Sequence, residues 1–184
     1  MSQFEYISVA IALIFALVVG RVLAGITPAL APTRRYSVHA AWLAQILLSC
    51  VAQWWNLWRT IDVDWTAFRF FWILGMPSLQ YVRTAILVGT PESVVSYREH
   101  FFAVRRTYFA IGLAIPIHSS LSPWVLGNVP WFTFVPGFHP GMLALGIGCL
   151  VGLSSSNETL HRALVGLFLL LASIVLLLPE LSAA

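Results

Sequence analysis

The chain has 184 residues, of which 59% are hydrophobic and only 9% are charged. A soluble domain carries about 25% charged residues, so this composition excludes an ordinary soluble protein and predicts a surface that faces lipid. The formal net charge is +3, and the ten basic residues are all arginine, which excludes chemistry that needs a lysine Schiff base. In a membrane protein such an excess of arginine marks cytoplasmic loops, so we expect no nucleic-acid partner.

Six apolar stretches have lengths that suit a bilayer crossing, which takes roughly 20 residues. In chain order they cover residues 6–26, 38–58, 67–89, 107–126, 139–153 and 160–178. The fifth is the weakest because it is short and rich in glycine. The sequence therefore predicts an all-α integral membrane protein, in which residues 1–184 form a single bundle of about six transmembrane helices.

The first predicted span carries a charge and a row of small residues. The small residues recur at every fourth position: Ala12, Ala16, Gly20 and Ala24. Such a row lets two helices approach closely, either within the bundle or in a homo-oligomer, and we expect a homo-oligomer or a larger membrane complex. Arg21 lies late in the span, where it either reaches lipid phosphates or serves a solute pathway.

The second predicted span has one polar face. Its polar residues are spaced by four, four and three positions: Gln45, Ser49, Gln53 and Asn56. At 100° per residue they form a stripe about 60° wide, which Trp42 shares. An amide without a partner costs several kcal/mol in hydrocarbon, so the stripe must face protein or water. It either joins helices through hydrogen bonds or lines a hydrated path.

Aromatic residues gather where the second span ends and the third begins. They are Trp54, Trp55, Trp58 and Trp65. Tryptophan favours the headgroup level of a bilayer, so an aromatic belt is the favoured interpretation and a ligand site is the alternative.

The third predicted span contains Arg83 near its end, together with Pro77 and Gln80. No acidic residue lies at a matching depth in the predicted spans. The partner of Arg83 should therefore be a carbonyl, water, a lipid phosphate or an anionic solute. With Arg21 and His118 it is predicted to mark a hydrated vestibule that favours anions.

Residues 91–106 predict an amphipathic cytoplasmic helix, with Thr90 as its N-cap. Its apolar face would be flanked by three candidates for binding lipid headgroups: Arg98, Arg105 and Arg106. The helix would lie flat on the leaflet or continue into the fourth span.

The fourth predicted span contains the strongest single site candidate. Pro116 is followed by His118, Ser119 and Ser120. A proline frees a carbonyl one turn earlier, and such kinks with nearby hydroxyls occur at binding sites, although His118 could equally hydrogen-bond within the bundle. The loop that follows has four prolines between residues 123 and 140 and is predicted to lie on the outer surface, or to act as a lid.

The arginine distribution predicts the orientation. Six loop arginines fall in alternate connections: Arg34, Arg35, Arg98, Arg105, Arg106 and Arg162. The other connections contain only Arg59. We therefore expect the arginine-rich loops in the cytoplasm and both termini outside. The general character of the sequence is similar to that of small bacterial membrane proteins, so we expect the membrane to be a bacterial inner membrane.

Catalytic motifs and metal-ligand motifs are missing from the sequence, so we expect neither a catalytic site nor a metal site. Cys50 and Cys149 fall in apolar segments and suit core positions. No cofactor is expected, and the alternative is haem b held by histidines on different helices. The candidate ligands are His39, His118, His139 and His161.

Three classes of function fit these features. The first is an oligomeric channel or transporter for a small, possibly anionic, solute. The second is a non-catalytic accessory or assembly subunit of a membrane complex. The third is a membrane protein that bears haem or pigment or acts on lipid.

Overall fold

The computed structural model describes residues 2–90, 94–127, 129–136 and 138–181. These residues form six α-helices and one short 3-10 helix, and no strand occurs among them. The α-helices are α1 (Gln3–Leu30), α2 (Ser37–Asn56), α3 (Ala67–Val88), α4 (Tyr97–Val125), α5 (Phe138–Ser154) and α6 (Glu158–Leu181), and the 3-10 helix Leu57–Thr60 extends α2. The predicted all-α architecture is confirmed, and each predicted span overlaps one helix.

Polar side chains begin three of the helices. The Ser2 hydroxyl accepts a hydrogen bond from the Glu5 amide, and the Glu5 carboxylate accepts one from the Ser2 amide, which forms a capping box for α1. The hydroxyl of Thr66 accepts a hydrogen bond from the Arg69 amide at the start of α3, and that of Ser96 accepts one from the Glu99 amide at the start of α4. Each cap satisfies a backbone amide that the first turn of a helix leaves without a partner.

The predicted start of the amphipathic helix is wrong. Thr90 is not helical, α4 begins at Tyr97, and residues 91–93 lie outside the described residues. From Tyr97 the helix continues without a break to Val125, so the segment belongs to the same helix as the fourth predicted span. Its apolar face does not cover lipid, because Tyr97 and Phe101 are fully buried inside the bundle.

The helices form a closed ring. Neighbours around it follow the order α1, α3, α4, α5, α6, α2 and back to α1, and α2 also contacts α3 and α4 across the middle. A core of buried side chains from all six helices fills the ring. The side chains that reach the middle of the ring therefore come mainly from α2, α3 and α4.

The three arginine-rich connections meet at one end of the ring. The Tyr97 amide donates to the Arg34 carbonyl, Arg98 pairs with Glu158, and Arg105 donates to the carbonyl of Ser155. At the other end, aromatic residues of the remaining connections lie near the beginning of α1, as in the contact between Trp58 and Phe4. The two sets of loops thus lie at opposite ends of the ring, which agrees with the prediction that successive helices run in alternating directions.

Glycines allow close helix packing at two positions of α5. A Cβ atom on Gly148 would lie 2.5 Å from Phe168 and one on Gly152 would lie 2.6 Å from Phe109. The row in α1 behaves differently, since Ala16, Gly20 and Ala24 are exposed. That row does not serve packing within the ring, and its predicted role in an oligomer stays a prediction.

Two of the described helices, α1 and α3, are long and apolar enough to cross a membrane by length and composition. A third, α5, is apolar but shorter. Many large apolar side chains elsewhere on the ring also point outward. They include Ile117 on α4, Leu143, Ile147 and Leu150 on α5, and Leu167 and Leu170 on α6.

Candidate functional site

A charged residue lies in the middle of the ring. The side chain of Arg83 on α3 is 4% exposed, and its Nη2 donates a hydrogen bond of 2.5 Å to Oε1 of Gln45 on α2. Its guanidinium carbon lies 4.8 Å from the ring centre of Tyr108 on α4, within the range of a cation–π interaction. Three helices therefore meet at this one guanidinium.

The polar stripe of α2 faces this centre. Gln45 is buried, and its Nε2 donates to Oγ of Ser49 at 2.6 Å. Asn56 turns back to donate to the carbonyl of Ala52 in its own helix, and Oε1 of Gln53 is buried without a partner. Gln45 is buried and the other three residues of the stripe are half-buried, which agrees with the cost of placing amides in hydrocarbon. Gln45 and Ser49 contribute to the centre, whereas Asn56 does not reach it.

Small and aromatic residues close the space around Arg83. Gly112 on α4 lies against both Arg83 and Cys149, since a Cβ atom on it would lie 3.6 Å from Cδ of Arg83 and 3.4 Å from Sγ of Cys149, in ordinary van der Waals contact. The indole of Trp42 packs edge-on against Tyr108 with ring centres 5.7 Å apart. The Cys50 thiol lies on the α2 side, close to Arg83 and to the amide of Gln80.

Four residues of this centre carry buried polar atoms that make no hydrogen bond of good geometry to any described residue. They are Nε of Arg83, Nε1 of Trp42, both amide atoms of Gln80 and the hydroxyl of Tyr108. Among the described residues, no carboxylate forms an ion pair with Arg83. A buried polar atom without a partner costs about 1–3 kcal/mol, and an unpaired buried charge costs more. The centre is therefore rich in donors and poor in negative charge.

Arg21 has a separate role. Its Nη2 donates to the carbonyl of Gly89 at 2.7 Å, and His100 contacts the carbonyl of Leu87 at 2.9 Å. The last carbonyls of a helix have no partner within the helix, and cationic side chains near the C-terminus complement them. Arg21 thus caps the end of α3 and does not contact the guanidinium of Arg83.

The side chain of His118 on α4 contacts the first half of α3. Its Nε2 lies 2.9 Å from the carbonyl of Trp72, and the two rings stack with centres 4.3 Å apart. The hydroxyl of Ser120 donates to the carbonyl of Pro116, and Ser119 is half-buried. These contacts fit the alternative in which His118 bonds within the bundle.

The structure does not bring together the three residues of the predicted vestibule, Arg21, Arg83 and His118. The contacts of Arg21 and His118 on α3 are Gly89 and Trp72, which are separated along the helix by roughly 25 Å at 1.5 Å per residue. Arg83 lies between these levels and is buried. The sequence indicated that Arg21 and Arg83 lie at similar depths from the membrane surface. Similar depth does not determine which side chains are in contact.

The four candidate haem ligands lie in different surroundings. His39 packs against Tyr97 with ring centres 4.7 Å apart, and His161 stacks on Phe109. Nδ1 of His139 accepts the amide hydrogen of Val135. Among the described residues, no close ring contact joins any two of the four candidates, and no group of three or more side chains could hold a metal ion.

The three arginines predicted to bind lipid headgroups differ in the contacts that their side chains make. Arg98 pairs with Glu158 at 3.1 Å, and Arg105 donates to the carbonyls of Phe102 and Ser155. Arg106 is exposed. The hydrogen bond from Arg98, with a second contact from Arg162, holds the pKa of Glu158 below its ordinary value of 4.5 because it favours the charged carboxylate.

Aromatic side chains cover the opposite end. Trp54, Trp55 and Trp58 are each more than two-fifths exposed, as the belt interpretation requires. In the proline-rich loop the indole of Trp124 donates to the carbonyl of Thr133, while Asn128 and Gly137 lie outside the described residues. A surface pocket of about 440 Å³ lies between the beginnings of α1 and α3, lined by residues that include Tyr6, Trp65 and Phe70.

Two members of the central site, Tyr108 and Gln80, were not identified as site residues from the sequence. Tyr108 lies beyond the arginines of α4, and nothing in its spacing shows that it packs beneath Arg83. Gln80 precedes Arg83 by three residues on the same helix face, and that spacing could have identified it. No protein-family model, curated protein or solved structure matches the chain.

Proposed function

We propose that the chain is an integral membrane protein with six transmembrane helices that carries a small anionic solute across the bilayer. The observation that supports this proposal most directly is the buried guanidinium of Arg83, which has polar neighbours but no carboxylate partner among the described residues. A bound anion would offset the cost of burying that charge.

The outer surface of the ring supports the membrane location. Only α1 and α3 meet the criteria for a spanning helix within the described residues. The other helices lie beside them in the same ring, so a bilayer around α1 and α3 surrounds those helices too. The apolarity of α2 is lowered by amides that face inward, and that of α4 is lowered by the arginines of its first turns.

The closed interior favours a carrier over an open pore. Arg83 is 4% exposed and Trp42 is fully buried, so the described residues close the central site off from solvent at both ends. Neither the pocket near Tyr6 nor a second pocket of about 280 Å³ beside Arg59 and Asp62 is lined by Arg83. A solute would reach the site only when the helices move, as in alternating access.

Uptake into liposomes tests this proposal. Purified protein should produce anion uptake from chloride or nitrate solutions and no comparable uptake of sodium or potassium. Arg83→Gln should reduce uptake about tenfold or more, because each 1.4 kcal/mol of lost interaction is a factor of ten and a buried charge contact exceeds that amount. Arg35→Gln, which removes an exposed arginine, is the matched control and should keep wild-type uptake.

Cation-selective uptake would contradict the proposal, as would wild-type anion uptake by a folded Arg83→Gln protein. If liposomes show no uptake and the protein co-purifies with a larger complex, the second class, an accessory subunit, replaces the carrier. An absorption spectrum of the purified protein tests the third class, since haem or pigment would colour it.

A further inference from the structure

Several buried polar atoms, most of them donors, lie on residues around Arg83. Gln80 and Arg83 are three residues apart on α3 and share one helix face. Trp42 is three residues before Gln45, the partner of Arg83, on the facing side of α2. Tyr108 contacts both the guanidinium of Arg83 and the ring of Trp42. Polar side chains of three helices therefore surround the guanidinium of Arg83.

The chemistry of this group selects negative charge. The Nε of Arg83 and the Nε1 of Trp42 can only donate, and the amide nitrogen of Gln80 is also a donor. The hydroxyl of Tyr108 can donate as well. A cation would be repelled by the guanidinium, and a neutral ligand would accept these hydrogens but leave the positive charge of Arg83 unbalanced, whereas an anion does both.

The charge and size of the ligand follow from the same residues. One guanidinium offers a single positive charge, so it balances a monovalent anion, and a divalent anion would leave one negative charge buried without a partner. The indole of Trp42 also packs against Phe109 and Phe168 with ring centres 5.2 Å apart in both pairs, which leaves little room. The ligand must be small and must give up its water, which weakly hydrated ions do most readily.

We infer that the donors of Arg83, Trp42, Gln80 and Tyr108 bind one small, weakly hydrated monovalent anion, of the kind represented by nitrate and iodide, and discriminate against sulfate and phosphate. This inference names the substrate class of the carrier proposed above and rests on that proposal for its transport role. Binding itself does not depend on transport, and the two are tested separately.

Thermal unfolding of the detergent-purified protein measures binding. Sodium nitrate or sodium iodide, compared with sodium sulfate at equal ionic strength, should raise the midpoint by about 2–6 °C at ten times the dissociation constant. Sulfate stabilises proteins in general because it is excluded from their surfaces, so the expected order is the reverse of the general salt effect. A rise that is equal or larger in sulfate would overturn the inference.

Two variants locate the site. Trp42→Phe keeps a large ring but removes one donor, and it should weaken the nitrate response several-fold, whereas Arg83→Gln should abolish it. Trp131→Phe is the matched control, because Trp131 is 62% exposed in the outer loop, and it should respond like the wild type. A full nitrate response in folded Trp42→Phe and Arg83→Gln proteins would overturn the inference.

Comparison with uptake distinguishes the two proposals. Nitrate binding that depends on Arg83, without uptake in liposomes, supports the site and contradicts the carrier. Uptake that depends on Arg83 but proceeds as fast with sulfate as with nitrate supports the carrier and contradicts the selectivity inferred for the site.

Discussion

Arg21 and Arg83 have the same side chain and lie in the same half of their helices, yet their surroundings differ. Arg21 lies beside the end of α3 and donates to the carbonyl of Gly89. Arg83 lies in the middle of the ring, bonded to an amide and packed on an aromatic ring. Neither guanidinium has a carboxylate partner among the described residues, but the contact of Arg21 satisfies a helix end, whereas Arg83 lies among the side chains of α2, α3 and α4.

At the same scale, Glu158 makes stability depend on pH. Arg98 lowers the pKa of Glu158 in the folded protein. The ionised carboxylate therefore contributes to the free energy of unfolding above its ordinary pKa, and this contribution is lost as the pH falls through the lower pKa of the folded protein. Glu158→Gln should therefore lower the unfolding midpoint slightly at pH 7, and its difference from the wild type should disappear as the pH falls below 4.5.

Glu99→Gln is the matched control for this prediction. Glu99 also lies in the first turn of a helix, and it is exposed. Thermal unfolding between pH 3 and pH 7, about the range in which carboxylates titrate, measures both variants. Equal behaviour of the two variants would show that the pair with Arg98 adds nothing.

At the scale of elements, α5 depends on glycine for its fit. Gly148 faces Phe168 on α6 and Gly152 faces Phe109 on α4, at distances that leave no room for a methyl group. Phe109 cannot move aside easily, because it is 1% exposed and packs on Trp42 and Tyr108. Although the amphipathic pattern of α5 is weak, the helix backbone at its glycines forms a specific contact surface for α4 and α6.

Gly152→Ala should consequently destabilise the protein. Overpacking a core typically costs about 1–3 kcal/mol, which exceeds the gain of about 0.5–1 kcal/mol from replacing glycine by alanine in a helix. Gly166→Ala is the matched control, because a Cβ atom there would have no neighbour within 4 Å, and it should leave stability unchanged or slightly higher. Thermal unfolding in detergent compares the two. A Gly152→Ala protein as stable as Gly166→Ala would contradict the close approach.

At the scale of the whole molecule, the ring has two chemically different ends. One carries most of the arginines, and the other carries exposed aromatic rings such as Trp131 and Phe132. Arginine-rich loops stay in the cytoplasm, and aromatic belts mark the bilayer surface. The separation of the two sets of loops gives the molecule a definite predicted orientation.

Labelling of single cysteines tests this orientation. Thr33 and Thr133 are exposed residues at opposite ends, so Thr33→Cys and Thr133→Cys form a matched pair in a background that lacks Cys50 and Cys149. An impermeant maleimide added to intact cells should label position 133 and not position 33, and lysis should make both reactive. Labelling of position 33 alone in intact cells would reverse the orientation.

The positions of the helices could be predicted because local signals determine them. Apolar stretches of bilayer length, and serine or threonine before several of them, correspond closely to α1, α3 and α6. The start of α4 was misplaced because Thr90 with Pro91 and Ser96 with Glu99 are both plausible N-terminal signals. Choosing between them requires the contacts of Tyr97 and Phe101 inside the bundle, which are not local.

By itself, the sequence determined the all-α class, the approximate bounds of the helices and the interior position of the polar stripe on α2. These follow from hydropathy and helical periodicity, and from the cost of polar groups without partners. The tertiary structure decided that Arg83 meets Gln45 and Tyr108, and that Arg21 and His118 serve helix ends and helix contacts elsewhere. The physical reason is that periodicity indicates the direction of a side chain around its own helix, whereas the order of helices around the ring determines which side chains meet.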